Sequence, residues 1–292
     1  MKVMIAEYAV GTLNEAYLEE GKAMLMALVN SFEKIGHDVI YPENIGVNDF
    51  SSYLKKKSRE CDCGLVISPD EFLYGYTKIL EDATINLGCP SDSVKLCADK
   101  LSTSAKLSEG GIPSPKIFES EPTFTGSSKR YVIKPRYGCA SEDILISSEF
   151  LVKEGFITTE LLQGDHLSVS LIAGENVLPL TINKQIIGLS DGIKYKGGIV
   201  PYKTALEDEV RETAIRTVEL LGCKGYVGVD IVLGDEPYVV DVNPRPTTSI
   251  VGINRVILGE IADLILRARF GGLPDLVEVD GRVTFELGGS EI

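Results

Sequence analysis

The sequence is poor in histidine and contains no long apolar run. Its 292 residues include two histidines, His37 and His166, which leaves little material for a histidine metal site or a Ser-His catalytic triad. No apolar stretch approaches the roughly 20 residues of a membrane-spanning helix. The strand-like opening at residues 2–6 is also unlike a signal peptide. We therefore expect no membrane partner.

The sequence also has no excess of positive charge and no regular spacing of cysteines. The chain carries 29 lysines and arginines against 43 acidic residues, a net charge of −14, which argues against nucleic acid as a partner. The six cysteines are scattered, and Cys61 and Cys63 are too close for a usual zinc pair. We expect free thiols and a reduced, cytoplasmic location. The sequence leaves a homodimer open.

Residues 1–90 alternate between strand and helix patterns. The strand-like runs lie at 2–6, 37–41 and 64–68. Apolar residues at helical spacing predict a helix over 18–35, and a second candidate covers 75–87. This alternation predicts a small parallel sheet whose ligands bind beyond the carboxyl ends of its strands. No Gly-x-Gly-x-x-Gly follows the first strand, which excludes a dinucleotide-dependent oxidoreductase.

Beyond Gly110 the pattern becomes rich in strands. Strand-like runs lie at 130–134, 143–147, 156–162, 166–173 and 177–183. Helices are predicted over 206–221 and 255–270. Between them, two apolar runs flank Gly-Asp-Glu-Pro and predict a hairpin.

The predicted hairpin carries three hard oxygen donors. Asp241 and Asn243 are two residues apart, so they point to one face of a strand, and Asp230 reaches that face from the neighbouring strand. Buried carboxylates are costly unless they are paired or bound to a cation, and this donor set suits Mg²⁺. A polar turn is the alternative for any one of them. The combination with the following Arg245 favours a metal site.

Two further segments are candidates for nucleotide contacts. Lys134 ends an apolar strand, and the loop of small residues after it includes Ser141; such a loop can fold over phosphates while the lysine neutralises them. At Glu160-Leu161-Leu162 a strand ends in a polar bend that would present backbone groups to a purine edge. Asp165 or His166 would then bond the ribose. A surface lysine and a solvated turn are the alternatives.

The order of these features resembles the ATP-grasp superfamily of carboxylate–amine ligases, over nearly the whole chain. The resemblance implies an ATP-grasp fold, α/β (α+β) in class, with an N-terminal parallel α/β domain of the Rossmann-like preATP-grasp type. It implies three parts: a substrate domain at 1–98, a central lid at 99–165, and a C-terminal part with the metal site at 166–292.

The resemblance also implies roles for individual residues. Lys100 and Lys134 match phosphate-binding lysines, 160–162 the adenine hinge, and His166 the ribose position. Asp230, Asp241 and Asn243 match the ligands of Mg²⁺ or Mn²⁺, and Arg245 a transition-state arginine. The chain departs from the family in having aspartate rather than glutamate at 241, histidine at the ribose position, and a loop after Lys134 that is less rich in glycine.

Other residues are candidates for substrate contacts. Lys184 and Lys196 flank a glycine-rich stretch and are candidates for the transferred phosphate or the substrate carboxylate, with solvated loop lysines as the alternative. An amine needs a carboxylate partner, for which Glu7, Glu71 and Glu81 are candidates.

The implied activity is an ATP-dependent ligation. ATP phosphorylates a carboxylate, and an amine attacks the acyl phosphate, so that ADP and phosphate are released. The motifs Pro69-Asp70-Glu71, Ile182-Asn183-Lys184-Gln185 and Tyr195-Lys196-Gly197-Gly198 resemble the family of archaeal ligases that join tyramine to glutamate in methanofuran biosynthesis. That resemblance implies γ-glutamyltyramine as the product. The alternatives are another amino-acid or peptide ligase and an ATP-binding protein without chemistry.

Overall fold

The computed structural model describes residues 1–46, 49–121, 130–138, 143–188 and 194–286. Its first sheet consists of β1 (Lys2–Glu7), β2 (Asp38–Ile40), β3 (Cys63–Ile67) and β4 (Ile85–Asn86). The strand order is β2–β1–β3–β4, and β1 pairs in parallel with β2 and β3. The parallel N-terminal sheet predicted from the sequence is confirmed.

The helices of this first part are α1 (Tyr8–Thr12), α2 (Leu18–Lys34), α3 (Phe50–Lys57) and α4 (Asp70–Glu81). The prediction over 18–35 is confirmed by α2, whereas the helix predicted over 75–87 is displaced. Pro69 precedes α4, and Asp70 lies in its first turn, where an acidic side chain favours a helix start. Beyond Glu81 the chain pairs with β3 as β4, so the helix ends there.

A second sheet follows α5 (Ser91–Ala98) and α6 (Lys100–Glu109). Its strands are β5 (Ile117–Phe118), β6 (Tyr131–Pro135), β7 (Leu145–Ser147) and β8 (Phe156–Glu160). The order is β5–β8–β6–β7, and all three pairings are antiparallel. β8 ends before the predicted Leu162, because the chain bends away after Glu160.

The third and largest sheet is antiparallel. It contains β9 (Asp165–Ala173), β10 (Val177–Gly188), β11 (Lys194–Val200), β12 (Gly225–Leu233), β13 (Pro237–Asn243) and β14 (Val283–Glu286), in the order β13–β12–β9–β10–β11–β14. The predicted hairpin is confirmed as β12–β13. β11 replaces part of the predicted glycine-rich loop. Gly197 is required there, because a Cβ at its φ of +149° would lie 2.0 Å from the carbonyl oxygen of Phe285 in β14.

Helices cover both faces of the third sheet. α7 (Glu207–Leu220) confirms the helix predicted over 206–221, but the single helix predicted over 255–270 is wrong. The chain forms α8 (Ser249–Val256) and α9 (Ile261–Phe270) instead. Gly259, at a φ of +128°, lies outside helical geometry, and Ile257 forms a bridge with Val279. These two features separate the helices.

The core joins the first and third sheets. Leu80 of α4 and Val169 of β9 belong to one buried cluster, and Leu28 of α2 and Ile253 of α8 belong to another. Each such side chain contributes about 1.5–3 kcal/mol on burial. The three sheets follow the segments 1–98, 99–165 and 166–292 closely, except that β9 already begins at Asp165, and the status of these segments as domains stays a prediction. None of the helices in the described residues has the length and apolar character of a membrane span.

Candidate active site

A cavity of about 500 Å³ lies where the three sheets meet. The carboxyl ends of β1 and β3, strands β6 and β8, and strands β9, β12 and β13 all contribute to its wall. This volume is typical of small-molecule sites. The predicted site residues that line it are Glu7, Lys100, Lys134, Glu160, Leu161, Leu162, His166, Asp230, Asp241, Asn243 and Arg245.

Asp230, Asp241 and Asn243 form what we call the cation end of the cavity. Asp230 and Asp241 are direct partners in the β12–β13 ladder. Asn243 Nδ2 donates to Asp230 Oδ2 at 3.2 Å, and Gln185 Nε2 donates to Asp230 Oδ1 at 2.9 Å. Burial and then the charge of Asp241 raise the pKa of Asp230 to about 7.

This donor set fits a hard divalent cation. The two carboxylates repel each other, and a positive ion would relieve that repulsion. Because Asn243 uses Nδ2 to bond Asp230, its Oδ1 is the oxygen left for an ion. Within the described residues no group of three or more His, Cys, Asp or Glu side chains forms a metal site. Two carboxylates and an amide suit an ion that completes its shell with water and phosphates.

Two lysines lie beside the cation end. Lys100 Nζ donates to the carbonyl of Gly138 at 2.7 Å and is 3.5 Å from Asp241 Oδ1. Lys134 Nζ donates to the carbonyl of Val240 at 2.9 Å. A bulge in the β12–β13 ladder places Val240 opposite no residue of β12, which frees that carbonyl for the lysine. Burial lowers the pKa of Lys134, and the nearby Asp241 opposes this.

An ion pair joins the two segments that carry these lysines. Asp99 caps α6 immediately before Lys100. Arg136, just after β6, donates from Nε and Nη2 to the two oxygens of Asp99 at 2.7 and 2.6 Å, a strong two-point geometry. The Arg136 guanidinium holds the pKa of Asp99 far below its usual range. The start of α6 and the end of β6 are thereby fixed to each other.

The predicted nucleotide hinge lies between the second and third sheets. Lys116 donates its backbone N–H to Glu160 Oε1 at 2.9 Å, and Leu161 donates its own to the carbonyl of Arg130 at 3.0 Å. Burial, followed by the positive charge of Lys184, lowers the pKa of His166. The neutral imidazole that results can exchange hydrogen bonds with a hydroxyl group.

Some predicted site residues do not line the cavity. Among those that the structure describes, these are Glu71, Glu81, Asp165, Lys184 and Lys196. Lys184 Nζ lies 2.5 Å from Asp165 Oδ1, so these two residues form an ion pair with each other. Lys196 packs its side chain over Gly188.

Glu81 has a structural position. Its carboxylate accepts from the N–H and Oγ of Ser91 at 2.9 and 2.5 Å, which caps the start of α5. Glu71 is exposed in the first turn of α4. Ser141 lies outside the described residues.

Glu7 and Glu20 form what we call the acidic end of the cavity. Glu7 is 3% exposed and accepts from the N–H of Val10 at 2.6 Å. Its carboxylate reaches α2 only because residue 21 is glycine, where a Cβ would lie 2.6 Å from it. Burial raises the pKa of Glu7 to about 7, with Glu20 adding to the rise. Thr248 donates to the Glu20 carboxylate.

The sequence reasoning missed three residues around this end. Glu20 and Tyr195 line the cavity, and Asp70 lies 3.6 Å from Arg245 Nε. Glu20 has no sequence signal, because its place depends on how α2 packs against the third sheet. Asp70 had one, since it lies three residues after the end of β3, which ends at the ligand-binding edge of the first sheet.

Comparison with known proteins identifies the family. The model of the ATP-grasp domain matches residues 97–249, which include both lysines, the hinge and the cation end. The chain belongs to the ATP-grasp family. Both the ATP-grasp fold and the ligase activity predicted from the sequence are thereby confirmed.

Relatives of this ATP-grasp chain include curated ligases. It is 34% identical over 276 residues to the tyramine–L-glutamate ligase of Methanocaldococcus fervens, covering 86% of the chain and 89% of the relative. The ligase of the same name from Methanocaldococcus jannaschii is 31% identical over 277 residues, 86% of the chain and 84% of the relative. Crystal coordinates of an ATP-grasp superfamily protein from Archaeoglobus fulgidus align with a TM-score of 0.78 at 30% identity, covering 97% and 91% of the two chains. As an ATP-grasp ligase, the chain uses ATP as cosubstrate with divalent metal ions and acts on small molecules.

Proposed function

We propose that this ATP-grasp ligase joins the γ-carboxylate of L-glutamate to tyramine and releases γ-glutamyltyramine, ADP and phosphate. The observation that carries the proposal is the continuity of one cavity between its cation end and its acidic end. A phosphorylated carboxylate and an amine nucleophile must meet in such a space. The two curated relatives that align with most of the chain are named as ligases of tyramine and L-glutamate.

The first step is phosphoryl transfer. A γ-carboxylate oxygen attacks the γ-phosphorus of ATP, the bond to the β,γ-bridging oxygen breaks, and ADP leaves. Lys100 and Lys134 neutralise the phosphate charge, and the hinge at 160–162 with His166, which lines the cavity where Asp165 does not, is proposed to hold the nucleoside. Such a reaction needs positioning and electrostatic stabilisation rather than a protein nucleophile. Asp230, Asp241 and Asn243 would hold a Mg²⁺ or Mn²⁺ ion, which would supply further neutralisation of the phosphate charge.

The second step forms the amide. The amine nitrogen attacks the carbonyl carbon of the acyl phosphate, the carbon–oxygen bond to phosphate breaks, and the nitrogen loses a proton. Arg245, which lines the cavity and lies near Glu7 and Asp70, is proposed to stabilise the oxyanion and the departing phosphate. Contacts of Lys184 and Lys196 with the phosphate would need movement of those side chains from their present positions.

The acidic end suits the amine. Glu7 and Glu20 provide negative charge for an ammonium group, and Met24 and Tyr17 provide apolar and aromatic surface beside them. Glu7 is also suited to accept a proton from the ammonium, since its pKa of about 7 is close to neutral pH. An aromatic amine such as tyramine combines the two features that this end offers.

Other properties belong to the proposal as well. We propose that residues 99–165 act as a lid over ATP, since catalysis requires exclusion of water. The net charge of −14 supports small molecules rather than nucleic acid as partners. The free thiols at Cys61, Cys63, Cys89, Cys97 and Cys223 suit a reduced cytoplasm. The molar mass measured by light scattering distinguishes a monomer from a homodimer.

Phosphate release from ATP tests the proposal. The assay contains Mg²⁺ and L-glutamate, with and without tyramine, and mass spectrometry of the product. We expect phosphate only when both substrates are present, together with a product whose mass is the sum of theirs less water. Turnover with a different amine would keep the mechanism and refute the substrate assignment. ATP binding without turnover across a broad panel of amines would favour a non-catalytic nucleotide-binding protein.

A further inference from the structure

Asp70 lies against Arg245 but outside the lining of the cavity. It is the first residue of α4, directly after Pro69, and it is 6% exposed. Its Oδ1 is 3.6 Å from Arg245 Nε. Within the described residues that oxygen has no hydrogen-bond donor. A buried carboxylate in this position needs a positive charge nearby, and the Arg245 guanidinium supplies one.

Arg245 and Asp70 come from different sheets. It follows β13 in the third sheet, whereas Asp70 belongs to the first. The arginine side chain is 13% exposed and lines the cavity. The ion pair therefore connects the two sheets at the point where the cation end and the acidic end of the cavity meet.

The charges around Asp70 identify Arg245 as its main partner. Burial raises the pKa of Asp70, and Arg245 opposes this more strongly than Lys100 does, while Asp241 adds to the rise. Arg245 is thus close to further acids besides Asp70, since it also lowers the pKa of Glu7 and of Asp230. The loss of the Asp70 charge would shift the balance of attraction on Arg245 toward those other acids.

We propose that Asp70 is a positioning residue, which holds the Arg245 guanidinium by its Nε edge in the orientation needed for the acyl-transfer step. The inference rests on the proposed role of Arg245. An arginine side chain has several rotatable bonds, and an electrostatic contribution to catalysis depends on the donor being in place beforehand. A carboxylate anchored on a different sheet supplies that constraint.

A double-mutant cycle tests the inference through kinetics. The variants are Asp70→Asn, Arg245→Ala and the double variant, with Asp92→Asn as control because Asp92 is an exposed acid in the first turn of α5, also after a proline. We expect Asp70→Asn to lower kcat by about 10- to 100-fold with the KM for ATP unchanged. In the Arg245→Ala background the same change is expected to have no further effect. An equal loss of kcat in both backgrounds would overturn the proposal.

A spectroscopic readout keeps the inference separate from the proposed function. In an NMR spectrum, the Arg245 Nε–Hε resonance is identified as the signal that is absent from Arg245→Ala. We expect Asp70→Asn to shift this resonance and Asp92→Asn to leave it in place. An unshifted resonance would refute the positioning role even if the wild type proved inactive with tyramine and glutamate. Thermal unfolding confirms that each variant is folded. Asp70→Ser takes the place of Asp70→Asn if the latter does not fold.

Discussion

The two ends of the cavity are built in different ways. The cation end comes from a single hairpin, in which Asp230 and Asp241 are ladder partners and Asn243 lies two residues further on. The acidic end combines Glu7 from the end of β1 with Glu20 from α2, and Thr248 near the start of α8 donates to Glu20. The proposed cation ligands are therefore set by local strand pairing, whereas the residues proposed to face the amine are set by the packing of the first sheet on the third.

The charges at the two ends differ as well. At the cation end Lys100 and Lys134 accompany two carboxylates, a mixture that suits a complex of metal ion and phosphate. At the acidic end the carboxylates predominate, and Arg245 is the cation that lowers the pKa of Glu7. The comparison predicts that substitutions at the cation end reduce kcat, whereas substitutions at the acidic end change the KM for the amine.

The largest effect is expected at the cation end. Asp241→Ala removes a proposed cation ligand and is expected to lower kcat by about a thousandfold, the scale for losing one transition-state interaction. Arg245→Ala is expected to act in the same direction. Steady-state phosphate release provides the measurement, with Asp235→Ala, in the exposed turn of the same hairpin, as control. Near-wild-type turnover of Asp241→Ala would refute the cation assignment.

At the acidic end we expect a smaller effect, on the KM for the amine rather than on kcat. Glu7→Gln removes the charge that would hold an ammonium, and the loss of one charged hydrogen bond corresponds to a rise of about 10- to 100-fold in the KM for the amine. The KM for ATP should be unchanged. Glu19→Gln, an exposed residue next to Glu20, is the control. An equal rise in both KM values would remove the distinction between the two ends.

Protons should compete with the metal ion at the cation end. The pKa of Asp230 is raised to about 7 without an ion, so below that pH a proton must leave before an ion binds. We expect the Mn²⁺ affinity to fall by up to about tenfold for each pH unit below 7 and to be flat above about pH 8. Calorimetry across this range provides the measurement. An affinity that stays constant down to about pH 5.5 would contradict the assignment.

The smallest effect is expected at Glu81, which lies outside both ends. Glu81→Gln weakens the cap on α5 and should cost about 1 kcal/mol in the free energy of unfolding. Both KM values should stay at wild type, because Glu81 does not line the cavity. Chemical denaturation and steady-state kinetics together provide the measurement. A raised KM for the amine would restore Glu81 as a substrate residue.

The contrast between local pairing and long-range packing explains which parts of the fold could be predicted from the sequence. The β12–β13 hairpin was predictable because two apolar runs, a turn and the two-residue spacing of Asp241 and Asn243 are all local. Helices α2 and α7 were predictable from their apolar spacing. By contrast, α1 is only five residues long, too short for a periodic signal, and β11 contains glycines that suggest a loop until β14 packs beside them.

The acidic end of the cavity was predictable only in part. Glu7 was a candidate because it ends β1 at the ligand-binding edge of a parallel sheet. Glu20 was not, since nothing in its helix distinguishes it from the exposed Glu19 before α2 is packed against α8. The choice of Glu71 rather than Asp70 is a different case, because Asp70 follows the end of β3 at the ligand-binding edge and so had a sequence signal. Asp70 is also buried together with Leu73 and Leu80 of α4, whereas Glu71 is exposed.

The ion pair between Asp99 and Arg136 has a consequence for how the enzyme could be altered. Neither side chain lines the cavity, yet together they tie the residue before Lys100 to the residue after the strand of Lys134. The spacing of the two lysines proposed to bind phosphate therefore depends on a contact outside the cavity lining. A substitution at Arg136 would shift both lysines at once, so selection on ATP geometry can act through a side chain outside the cavity lining.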